Sequence, residues 1–171
     1  MDNAFFAYLD RLTLMVFFSG YPLVYAFVSF LATSQQQVNF FKRKALSILP
    51  YGYGLAGILY LGYRLQNLYP DYSPANLGQL AGSYLQAWGL LSLIFLIPAI
   101  ARRRILSLLH SFVFFFYLIK DLVGSSADKE SVRNDMKLYS ISLLINLGTF
   151  LVILLLSFLF SRFRHKGGAN A

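Results

Sequence analysis

Two side chains combine a chemically capable polar group with long apolar sequence on both sides: His110, in ILSLLHSFVFFFYLI, and Asn146, in SISLLINLGTFLVILLL. A neutral imidazole can ligate haem, relay protons or hold a substrate. A bis-histidine haem needs a second imidazole at the same depth, and the only other histidine, His165, stands in a basic terminal stretch. His110 is therefore read as a hydrogen-bonding group between helices, with Ser107, Ser111 or a neighbouring helix as its partner. Asn146 needs a partner for the same reason, since an unbonded amide in apolar surroundings costs several kcal/mol. Tyr21 and Tyr51 complete the candidate polar set. With His110 and Asn146 they would line a path if two copies framed one.

Other patterns carry less chemistry. Pro50-Tyr51-Gly52-Tyr53-Gly54 contains Gly-Tyr-Gly, as in a potassium-selectivity filter, but Leu-Ala-Gly-Ile-Leu continues it as one apolar run. A filter loop instead sits between a pore helix and an inner helix. Asp121, Asp128, Glu130 and Asp135 alternate with Lys129, Arg133 and Lys137, the pattern of a solvated helix face with ion pairs and not of a metal cluster. No Ser/His/Asp set, HExxH, phosphate loop or paired-carboxylate signature is present. The absence of cysteine removes disulfides, iron–sulfur clusters and thiol catalysis. The expectation is a chain without enzymatic activity, cofactor or metal.

The elements that position these residues follow from composition. Of 171 residues, 57% are hydrophobic and 13% charged, with mean hydropathy +0.57. Soluble domains carry about 25% charged residues, so too little polar surface remains to wrap a core in water. Five stretches approach the ~20 apolar residues that cross a bilayer: 12–33, 45–63, 84–101, 105–123 and 138–160. The fourth loses its uncharged run at Lys120, whose stem can snorkel. A re-entrant hairpin with the third is its alternative. The fold class is an all-α bundle of five transmembrane helices in one domain, residues 1–166, with a disordered tail at 167–171. Pro22, Pro50 and Pro98 are expected to kink the first three spans. Ser47, Gly54 and Gly57 share a face that admits another backbone. Gln86 and Trp88 read as interfacial anchors, and Ser126 as the start of a helix that runs into the fifth span. Basic triplets before Leu46-Ser47 and Leu106-Ser107 hint at a repeat with an offset of 60, which any pair of hairpins would also produce.

Charge gives the orientation. Lys42, Arg43 and Lys44, then Arg102, Arg103 and Arg104, then Arg162, Arg164 and Lys166 follow spans one, three and five. Five crossings put these nine cations on one side. The other six Lys and Arg and all seven acids fall on the opposite side, with net charge −1. The positive-inside rule makes the +9 side cytoplasmic, with the N-terminus outside and the C-terminus inside. The triplets read as contacts to anionic lipid headgroups and not to nucleic acid, because they form no groove or face. MDNAFFAYLD lacks the basic start of a signal peptide. The expected partners are the lipid bilayer and either a second copy or other membrane subunits. Compact loops and the lack of an Asn-x-Ser/Thr acceptor favour a bacterial inner membrane. Together these features imply a non-catalytic accessory, assembly or packing subunit. A small oligomeric transporter or channel is the alternative.

Overall fold

The computed structural model describes residues 11–33, 40–70, 72–124 and 129–167. All regular structure among them is helical. Helix α1 covers residues 11–18, and a turn at Ser19-Gly20 separates it from α2 (Tyr21–Thr33). Then follow α3 (Phe40–Leu68), the short α4 (Pro74–Gly78) and a 3-10 turn (Gln79–Ala81). The third apolar stretch contains α5 (Tyr84–Leu90), a 3-10 segment (Leu91–Leu96) and α6 (Pro98–Ala101). Two long helices close the chain, α7 (Arg104–Gly124) and α8 (Lys129–Gly167).

Four helical stretches are long and apolar enough to cross a membrane: Arg11–Leu31, Lys44–Leu68, Arg104–Gly124 and Lys129–Arg162. The uninterrupted α7 satisfies the length requirement that Lys120 had put in question. The fifth helix does start ahead of its apolar run, at Lys129; Ser126 lies outside the described residues, as does the tail beyond Gly167. Gly167 itself still closes α8.

The third stretch is not the continuous helix expected over 84–101. Its apolar helical part is Tyr84–Leu96, and the helix breaks at Ile97 (φ −77°, ψ 120°). The cause is Pro98 at the first position of α6, because a residue before proline is pushed out of the helical region into extended backbone. Pro22 acts similarly at the Ser19-Gly20 turn: its ring has no N–H and collides with the carbonyl four residues back. Pro50 lies inside α3, which stays helical through it.

The contacts set the layout. The 3-10 segment packs antiparallel on α3, with Gly57 against Ser92, Gly54 against Leu96, and Ser47 sharing a cleft with Ala101 and Arg102. The face formed by Ser47, Gly54 and Gly57 thus admits a second backbone as its small residues imply. α8 also runs antiparallel to α3: Gly52 meets the backbone of Phe150, and Lys44 Nζ donates to the Ser157 carbonyl at 3.1 Å. At the opposite end Arg11 pairs with Asp121 at 3.0 Å, tying α1 to α7. The core between these elements is aromatic and contains Phe18, Tyr21, Tyr53, Tyr60, Phe95 and Phe114.

Candidate functional site

His110 is buried on the inner face of α7, and both ring nitrogens are engaged. Nε2 lies 2.9 Å from the Trp88 carbonyl and Nδ1 lies 2.8 Å from the Tyr53 hydroxyl. A carbonyl only accepts, so Nε2 carries the proton and Tyr53 donates to Nδ1. Trp88 returns the bond: its indole N–H donates to the His110 carbonyl at 3.3 Å, and the two rings stack 4.8 Å apart at 7°. Tyr53 and Phe95 stand edge-on to the imidazole at 5.6 Å, and Phe114 lies at 5.9 Å. A haem or metal would have to displace one of these partners.

The position of the Trp88 carbonyl explains the arrangement. It belongs to the last turn of α5, where the α-helical ladder gives way to 3-10 geometry and carbonyls lose their α-helical donors. His110 donates to that carbonyl, and the Ser92 hydroxyl donates to the neighbouring Gly89 carbonyl at 2.6 Å. The imidazole therefore serves as a cap for the end of α5.

Asn146 performs the same task at another break. Its Nδ2 donates to the Phe17 carbonyl at 2.9 Å and to the Ser142 carbonyl at 2.8 Å. Ser142, one turn earlier on α8, accepts from the Gly20 N–H at 2.7 Å. Phe17 lies near the end of α1 and Gly20 in the turn before Pro22, so a carbonyl and an N–H at this break are bonded by α8. Gly20 is required by proximity, since a Cβ there would lie 2.6 Å from the Leu143 nitrogen. Asn146 Oδ1 is buried without a hydrogen-bond partner.

The four candidate residues do not form one site. Tyr21 and His110 are joined through Tyr53, whose ring lies 4.4 Å from that of Tyr21. The Tyr21 hydroxyl donates to Ser107 at 2.8 Å, and Ser107 donates onward to the Arg104 carbonyl. Asn146 belongs to the α1–α2 turn. Tyr51 lies apart, in a cleft with Ser47, Arg102 and Arg104.

Gln86 and Asp135 are more buried than an interfacial anchor and a solvated face require. Gln86 is not an interfacial anchor but the buried N3 residue of a capping box with Ser83, a pattern legible as Ser83-x-x-Gln86. Trp88 is the half-buried partner of His110. Asp135, read as part of a solvated face, is 5% exposed and close enough to Asp121 for their charges to interact. Tyr53 and Ser142 were missed. Ser142 had a signal, standing one helical turn before Asn146 on the same face.

No family model, no curated protein and no solved structure matches this chain.

Proposed function

We propose that the protein is a five-crossing, non-catalytic bundle that serves as an accessory, assembly or packing subunit of a membrane complex, in a bacterial cytoplasmic membrane with its basic side inward. One observation carries this reading: His110, Ser142 and Asn146 each make a hydrogen bond to a backbone group at a helix break. Groups that hold a fold together in this way leave little for a substrate. Large apolar side chains such as Phe30, Phe116, Leu144 and Phe160 are exposed around the bundle, as lipid or a partner helix requires.

Five crossings are favoured over four by charge and by reach. Tyr84–Leu96 extends about 22 Å at 1.5 Å per α-helical and 2.0 Å per 3-10 residue. Ile97 and α6 add about 9 Å, near the ~30 Å hydrocarbon thickness. If the third segment did not cross, the Arg102 triplet would share a side with Tyr84 and the charge asymmetry would vanish.

A small oligomeric transporter is the second reading, favoured by the interrupted third segment, since broken helices also frame transport sites. Isolation from native membranes in mild detergent, followed by mass spectrometry, separates the two. The subunit reading predicts a stoichiometric membrane partner. A lone homo-oligomer whose flux in proteoliposomes is abolished by His110→Phe, with the helical fold intact, contradicts it.

A further inference from the structure

The cleft holding Tyr51 lies where α3 meets the hairpin before α7. It has a volume of about 220 Å³ and is lined by Ser47, Tyr51, Ala101, Arg102 and Arg104. The Ser47 hydroxyl proton goes to the Lys44 carbonyl, so the side-chain donors that remain among the lining residues belong to Arg102, Arg104 and Tyr51. Among the described residues neither guanidinium has a carboxylate partner. The contrast with the other end of the bundle is direct, because Arg11 there has Asp121 at 3.0 Å. No acid occurs in residues 72–120 or 11–70, so a counter-charge for this cleft must come from outside those segments.

We propose that Arg102, Arg104 and Tyr51 bind a phosphate group, carried by an anionic phospholipid or free in solution. Guanidinium forks match phosphate oxygens two at a time, and basic pockets between transmembrane helices on the cytoplasmic side take anionic headgroups. The volume falls below the ~300–1,000 Å³ of sites that enclose a drug-sized molecule, so it suits a headgroup phosphate and not a whole lipid. Ile97 and Ile105, flanking the arginines in sequence, are 50% and 64% exposed, as acyl chains near a bound headgroup require. The inference goes beyond the packing role and does not depend on it.

The test is binding to the full-length protein in neutral detergent, read by native mass spectrometry and by thermal shift. The probes are phosphatidylglycerol, phosphatidylcholine and inorganic phosphate. Wild type is expected to retain and be stabilised by phosphatidylglycerol but not phosphatidylcholine. Arg102→Gln with Arg104→Gln weakens that binding by about tenfold or more, Tyr51→Phe weakens it less, and Arg103→Gln leaves it intact. Arg102→Lys with Arg104→Lys keeps the charge, guards against a folding defect, and should give an intermediate loss. Stabilisation by inorganic phosphate alone, equal to that by the lipid, makes free phosphate the ligand. Equal losses from Arg103→Gln and the double variant, or no preference of wild type for phosphatidylglycerol or phosphate over phosphatidylcholine, overturns the proposal.

Discussion

His110 shows how one side chain can be polar, buried and structural together. Replacing it with phenylalanine keeps an aromatic ring in the cluster but strands the Trp88 carbonyl and the Tyr53 hydroxyl. Interhelical hydrogen bonds in membranes contribute about 0.6–2 kcal/mol each, so His110→Phe should lower stability in detergent by about 1–3 kcal/mol. His110→Ala adds a cavity between rings and should cost about 3–5 kcal/mol. Equilibrium unfolding monitored by circular dichroism checks both, and unchanged stability in both would remove the capping role. Asn146→Leu should cost less than Ser142→Ala. The leucine also removes the unbonded Oδ1, which offsets part of the loss, whereas Ser142→Ala only orphans the Gly20 N–H, at about 1–3 kcal/mol. His110 and Asn146 could be picked out from the sequence because polar groups stand out in apolar runs. Their partners could not, because a backbone carbonyl at a helix break carries no side-chain signature. Tyr53 was hidden by its neighbours: Gly52 turns toward α8 and Gly54 toward the third segment, so the tripeptide reads as a motif when it is two close helix contacts around one core ring.

Helix continuity was partly legible. Pro22 and Pro98 stand just after real breaks: Pro98 pushes Ile97 out of the helical region, and Pro22 denies the Phe18 carbonyl an α-helical donor. Pro50 lies within a continuous helix, and nothing in the sequence separates it from the other two. The 3-10 geometry of Leu91–Leu96 was not legible either, because apolar periodicity over six residues does not distinguish three residues per turn from 3.6. The close approach at the first break leads to a contrast between two glycines. Gly20→Ala drives a methyl into the α8 backbone and should destabilise by about 1–3 kcal/mol, the usual cost of overpacking. Gly62→Ala meets nothing within 4 Å and should be neutral or stabilising by up to about 1 kcal/mol through helix propensity. Equal effects in the same unfolding assay would show that α8 does not press on the turn.

At the scale of the whole molecule, the bilayer explains why large apolar side chains are exposed around the bundle while buried polar groups bond to backbone and to one another. Composition alone made that medium evident, and the charge clusters suggested the direction of each crossing. What composition could not show is that the third segment is built from pieces held by His110 and by the small-residue face of α3. Whether those pieces cross is the point on which the five-span account turns. The chain contains no cysteine, so single-cysteine variants at Tyr84 and Arg103 need no background removed. Labelling intact cells with a membrane-impermeant maleimide should modify the cysteine at 84 and spare the one at 103 until the membrane is opened. Modification of both from the same side would contradict the account.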